Sequence, residues 1–256
     1  MLNNTDARKT KMKVFIYFSI LYSSLLCAEE KSLVTIYTYH EKPPLVTNSA
    51  KQQGMYYDFT RRLNAMSAKY HFEMVSIPRK RIKLMLANGS LKGILLGVNP
   101  TWFSDKDEIK YLWTPRVFSD RDEIVSLLNQ SIEFIKPQSL QGKIFGGVRG
   151  FYYFGISELI ESQNIKQVNT AHEVDLFSML LNHRVDVAVI SRSTFDHMIK
   201  KKQWQNKFHL SKKPHDIYDR RILIPHKYAD VYDHILPIIE DLQFNQSWQK
   251  KINSYE

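Results

Sequence analysis

Side chains alternate along "SLVTIYTYHEKPPL", with Leu33, Thr35 and Tyr37 set against Val34 and Ile36, until Pro43-Pro44 ends the run. A period of two predicts a strand, and the proline pair predicts the loop that closes it. In "YYDFTRRLNAMSAKY" the apolar positions Phe59, Leu63 and Met66 fall at helical spacing. "HFEMVSI" alternates again, "RKRIKLMLANGS" reads as a helix closed by Asn88-Gly89, and "LKGILLGV" is a short apolar strand. The order strand, helix, strand, helix, strand predicts an α/β unit with a largely parallel sheet.

The pattern then restarts. "GKIFGGVRG", "IKQVN" and "VDVAVIS" read as strands, separated by helices over "YYFGISELIESQ" and "AHEVDLFSMLLNHR" and followed by a helix over "STFDHMIKKKQWQ". Two extended apolar segments, 121–128 and 218–226, flank this second unit. The closing segment, 230–255, has apolar residues at 231, 235, 238, 239, 242 and 248, a helical spacing in which Pro237 predicts a kink. One α/β unit inserted between extended segments of another predicts two lobes with a cleft between them.

Composition changes this picture at the amino terminus. Arg8, Lys9, Lys11 and Lys13 precede an apolar run from Val14 to Cys27, and Ala28 follows. That is the layout of a secretory signal peptide over residues 1–28, and the run is shorter than the ~20 residues that span a bilayer. Periplasmic export is the expectation, with an uncleaved anchor as the alternative. Cys27 is the one cysteine of the chain, and Leu25-Leu26 before it argues against a lipid attachment. The remaining chain then has no disulfide and rests on its core.

The formal charge of the 256 residues is +10. Four of the 36 Lys and Arg and one of the 26 Asp and Glu lie within residues 1–28, so the remainder keeps an excess of seven. The lysines are dispersed, with the tightest cluster at 200–202, which predicts a solvated basic face and no nucleic-acid partner. No metal spacing occurs among the nine histidines. "GGVRG" lacks the dinucleotide-loop order, there is no Gly-x-Ser-x-Gly elbow, and no cofactor is expected.

Six segments in this order resemble the exported solute-binding proteins of the amino-acid type (family 3), the capture components of ABC importers. They are "YTYHEKPPL", "GMYYDFTRRLNAM", residues 93–118, "LQGKIFGGVRGFYY", "LLNHRVDVAVIS" and residues 218–255. The resemblance implies the two-lobed periplasmic-binding-protein-like fold of type II, α/β in class, with two hinge strands. It puts lobe 1 at 29–125 and 219–256 and lobe 2 at 126–218. It further implies a non-enzymatic monomer that binds a small polar molecule and meets a membrane permease. Two alternatives share the fold: a sensor presenting its closed form to a membrane receptor, and a cyclohexadienyl-dehydratase-like enzyme.

Three departures from the family pattern concern the ligand. Where relatives carry Thr-x-x-Arg for the ligand carboxylate, this chain has Thr101-Trp102-Phe103-Ser104. Where they end a later strand with an aspartate for the ligand ammonium, it has Ser191, and the loop Gly150-Phe151-Tyr152 replaces their Gly-Ser/Thr-Thr. A free amino acid would leave its charges uncompensated. The resemblance nevertheless places Tyr39, Asn99, Trp102, Ser104, Arg149, Tyr152 and Ser191 at ligand positions. Each has a plainer reading: Trp102 and Trp113 as core, Asn99 as a turn cap, Arg149 in a surface ion pair. His40 is expected in a solvated loop, Arg79, Lys80 and Arg81 on a solvated helix face with Arg81 the one nearest the pocket, and Arg116 and Arg121 near the first hinge. Asp58, Asp175 and Asp186 read as caps or turn residues. No carboxylate is expected at the contact positions, which counts against the dehydratase.

Overall fold

A computed structural model describes residues 30–255. The signal peptide expected over residues 1–28, with Cys27, lies outside the described residues. Ten strands join one curled sheet: β1 (Ser32–Thr38), β2 (Tyr70–Ser76), β3 (Ile94–Val98), β4 (Leu112–Trp113), β5 (Phe118–Leu127), β6 (Ile144–Val148), β7 (Lys166–Thr170), β8 (Val187–Ser191), β9 (Phe208–Leu210) and β10 (Asp216–Ile224). Their order is β2-β1-β3-β10-β5-β8-β6-β7, with β4 on β10 and β9 on β5. β1 and β3 run parallel, as do β6 with β7 and β8, in agreement with the alternation along the chain.

Each half of the sheet has its own apolar core. Helix α1 (Met55–Met66) buries Tyr56, Phe59 and Leu63 at helical spacing against Ile36, Ile94 and Leu96. Helix α2 (Arg79–Ala87) buries Ile82 against Leu95, Val98 and Trp113. In the other half, α3 (Ile156–Glu161), α4 (Asp175–Leu181) and α5 (Arg192–Lys202) cover Phe145, Val187, Ala188 and Ile190. Gly97 lies on the face of β3 under α1. Its φ is +82°, and a Cβ there would stand 1.8 Å from Tyr56 Oη, so only glycine lets the helix sit this close.

The strands β5 and β10 pass between the halves. β10 pairs with β5 through 216–220 and with β3 and β4 beyond, where the register shifts between Arg221 and Ile222. β5 pairs with β8 and β9 from Asp122 onward. After β10 the chain returns to the first core. Helix α6 (Ala229–Phe244) buries Val231, Ile235, Ile239 and Leu242, and α7 (Gln246–Asn253) seats Trp248 on Phe59 with ring centres 5.9 Å apart. α6 continues through Pro237 and ends at Asn245, whose extended backbone closes one helix while its Oδ1 accepts from Trp248 N to cap the next.

Candidate functional site

The carboxyl ends of β1, β3, β6, β7 and β8 face a common crevice, the usual place for a ligand in such sheets. From β1 come Tyr39, His40 and Lys42, from the start of α2 Arg79, from the turn after β3 Trp102, and from the crossing strands Asp122, Tyr218 and Arg220. The opposite half contributes Phe151, Tyr152 and Tyr153 from the loop after β6, and Glu173 from the loop after β7.

Arg220 anchors the floor. Its guanidinium is 1% exposed, reaches Asp120 at 3.2 Å, and donates to Gly97 O at 3.1 Å and Tyr218 Oη at 3.0 Å. Rings of Trp102, Phe118 and Tyr218 surround it within 5.0–5.7 Å. His40 Nε2 lies 3.3 Å from Arg220 Nη1. A guanidinium has only donors, so Nε2 accepts and the neutral ring carries its proton on Nδ1. Burial, then the cations Arg220, Lys42 and Arg79, hold this histidine well below its ordinary range.

Lys42 spans the crevice. Its Nζ is 2.6 Å from Glu173 Oε2 and 2.8 Å from Ser191 Oγ, and both charged side chains are almost wholly buried. Glu173 Oε1 accepts from Ser191 N at 2.9 Å and Ser191 Oγ at 2.8 Å, so all its near donors come from the protein. Thr194 Oγ1 donates to Pro43 O at 2.7 Å beside this pair. Asp122 accepts from Tyr218 Oη at 2.8 Å. Burial, and then the neighbouring Glu173 carboxylate, push Asp122 up to about 6 against the opposing pull of Lys42.

Phe151 fills the middle of the crevice, edge-on to Tyr39 and His40 at 6.1 Å from each ring. About 30 Å³ remains at the centre, the scale of water rather than of a metabolite. Two larger chambers flank it. One of about 210 Å³ adds Arg149, Ala171 and His172 to Tyr39, His40, Lys42 and Arg79. The other, about 260 Å³, is lined by Arg79, Lys80, Lys83, Trp102, Ser104 and Tyr152. Arg79 belongs to all three spaces. Its guanidinium lies between the rings of Tyr39 and Phe151, at 5.5 and 5.6 Å, and makes one long hydrogen bond, 3.5 Å to Trp102 O.

The structure brings Tyr39, Trp102, Arg149, Tyr152 and Ser104 to these connected spaces. Asn99 is elsewhere: its Oδ1 accepts from Thr101 N at 3.0 Å and its Nδ2 donates to Asp219 O at 3.3 Å, the cap of the plainer reading. Ser191 is fully buried behind Lys42 and Glu173 and does not line the open chambers. Trp113 is core, with Nε1 on Asp105 at 2.8 Å. Three expectations are corrected. His40 is 4% exposed instead of solvated, because the chain turns inward between β1 and Pro43. Arg79, rather than Arg81, reaches the pocket, because Pro78 precedes the first helical residue and aims it at the crevice. Glu173 and Asp122 supply the carboxylates not expected there. Arg116 is exposed, and Arg121 pairs with Glu123 at 2.6 Å and lines a separate cavity with Phe118, Asp120 and Arg192.

A scan with protein-family models finds no match, and neither does a search of curated proteins. Solved structures do match. A mutant of the arginine-binding protein from T. maritima superposes with a TM-score of 0.69 at 14% identity, covering 88% of this chain and 95% of that one. The substrate-binding protein of an amino-acid ABC transporter gives 0.67 at 15% identity, over 88% and 99%. An ancestral amino-acid-binding protein, described as a precursor of cyclohexadienyl dehydratase, gives 0.68 at 11%, over 88% and 95%. The chain therefore has the two-lobed α/β fold of the periplasmic binding proteins.

Proposed function

We propose that the protein is an exported solute-binding protein that captures a small polar molecule between its lobes and delivers it to the permease of an ABC importer. The hinge runs through β5 and β10, with lobe 1 at 29–125 and 219–256 and lobe 2 at 126–218. Tyr39, Trp102, Ser104, Arg149 and Tyr152 contact the ligand, Asn99 positions the turn that carries Trp102, and Ser191 acts through Lys42 and Glu173. The carrying observation is the crevice itself: side chains from both halves meet around Arg79, which retains most of its hydrogen-bonding capacity. The fold shared with amino-acid-binding proteins supports the same reading. Ligand binding then shifts the balance between open and closed forms, as hinge closure does in such folds.

A metabolite panel followed by thermal shift tests this. A solute at a hundred times its dissociation constant adds about 2.7 kcal/mol of stability. The response is expected to disappear in Trp102→Ala, and small-angle scattering should show no compaction of that variant. No response to any solute would remove the proposal.

A second reading rests on the two crevice carboxylates, because a group near 6 suits proton transfer at neutral pH. It makes the protein a dehydratase of prephenate-like acids, with Asp122 or Glu173 moving the proton. Loss of water and carbon dioxide from prephenate, abolished in Asp122→Asn or Glu173→Gln, would establish it. Tight binding of a solute without turnover of prephenate would exclude it.

A further inference from the structure

The crevice has an imbalance of donors over acceptors. Arg79 has five N–H donors and a single long bond, and Arg149, on the facing half, makes no side-chain hydrogen bond or ion pair among the described residues. His40 Nδ1, whose proton is fixed by Nε2 accepting from Arg220, is buried without a partner, and Tyr39 Oη is likewise unpartnered. The residues that carry these groups, Tyr39, His40, Arg79 and Arg149, line one chamber of about 210 Å³.

The acceptors are already used. Glu173 is held by Lys42 and Ser191, and Asp122 accepts from Tyr218 within the field of Lys42 and Arg220. Glu41, at the chamber's edge, is exposed and faces Ser49 at 3.4 Å. An incoming ammonium or guanidinium would find no unengaged buried carboxylate and several cations. Lys42 Nζ already places a positive charge against Ser191, the residue at the end of β8. The unpaired buried donors of His40 and Tyr39 are costly, and an oxyanion satisfies them while pairing with the half-buried Arg79 and the exposed Arg149 through charge-assisted bonds.

We infer that the solute is a small oxyanion, carboxylate or phosphate, with no cationic group, held by Arg79 and Arg149 from opposite halves and by the Nδ1–H of His40, while Lys42 supplies from the protein the positive charge that an amino-acid ligand would bring. This rests on the proposed solute-binding role and narrows its ligand class. It also separates this crevice from those of the arginine-binding proteins that share the fold. Closure brings Arg79 and Arg149 to one chamber, and the bridging anion removes their repulsion.

The test uses protein produced from the full chain and purified as its host processes it. Thermal shift and calorimetry are run with acetate, succinate, citrate, benzoate and inorganic phosphate, and in parallel with arginine, putrescine, alanine and glucose. At least one oxyanion should bind, with alanine, arginine and putrescine at least tenfold weaker. The carboxylate and phosphate arms separate the two sources of the anion. Arg79→Gln and Arg149→Gln should each lose at least tenfold in affinity, with melting temperatures near that of the unmodified chain, since neither residue holds an ion pair. Binding of alanine, arginine, putrescine or glucose in preference to the anions would overturn the inference and leave the solute-binding role standing. An anion response that survives both variants would overturn the assigned site, and silence from every probe would overturn the role as well.

Discussion

Lys42 and Glu173, 131 positions apart in the chain, meet at 2.6 Å in the interior of the crevice. A buried pair of this kind contributes little net stability compared with an apolar pair of the same shape, yet removing one partner strands the other charge. Glu173→Gln or Lys42→Met alone should each lower stability by about 3–5 kcal/mol. The double variant should recover part of that loss, a non-additivity that a denaturant double-mutant cycle measures.

Asp122 gives a pH signature. Its folded value, about 6, lies above the 3.8 of an ordinary aspartate, so the folded state holds the proton more tightly than the unfolded chain. This favours folding below about pH 4 and is lost as pH rises through 6. Asp122→Asn keeps an acceptor for Tyr218 but cannot ionise. Its melting temperature relative to the unmodified chain should therefore rise between pH 4 and pH 7.5, and a flat difference would contradict the assignment.

Asp105 has the opposite sign. Burial raises it, but the backbone N–H groups of Lys110, Ile109 and Tyr111 and the indole of Trp113 outweigh that and hold it below the ordinary range. Its contribution is present above about pH 4 and is lost as pH falls through the depressed folded value. Asp105→Ala removes the acceptor for bonds of 2.8–3.1 Å from the loop before β4 and from Trp113 within β4. The expected cost is about 1–3 kcal/mol at pH 7, with a smaller difference from the unmodified chain at the acid end.

Tyr153 isolates a single buried bond. Val148 N donates to its Oη at 2.8 Å, at the end of β6. Tyr153→Phe preserves the ring contact with Phe145 at 5.1 Å and orphans that N–H. A loss of about 1–3 kcal/mol is expected, with local acceleration of hydrogen exchange at Val148.

Much of the architecture was legible because the two periodicities are clean: β1 alternates, α1 spaces Phe59 and Leu63 on one face, and the second unit repeats the order. The site was less so. Tyr39 and Trp102 follow strand ends, and that position alone places both on the crevice lining. In the run Arg79, Lys80, Arg81, periodicity alone could not select the side chain that enters the crevice; Pro78, one residue earlier, was the available signal. Glu173 was missed because it stands in a loop and owes its role to Lys42, a contact no local pattern carries. Pro237 stands inside a helix that continues past it, with Ile235, Ile238 and Ile239 buried on either side of the proline.

The bonds of Arg220 reach His40, Gly97, Asp120 and Tyr218, in the first half or on the crossing strands, and none reaches the loops after β6 or β7. Among the described residues, the hydrogen bonds and ring contacts that join the crevice walls include Lys42 with Glu173 and Ser191, Thr194 with Pro43, and Phe151 on Tyr39, His40 and Arg79. Arg220 is thus a bearing rather than a clasp. In the closure proposed above, opening releases those contacts between the walls and leaves the bonds of Arg220 within one body.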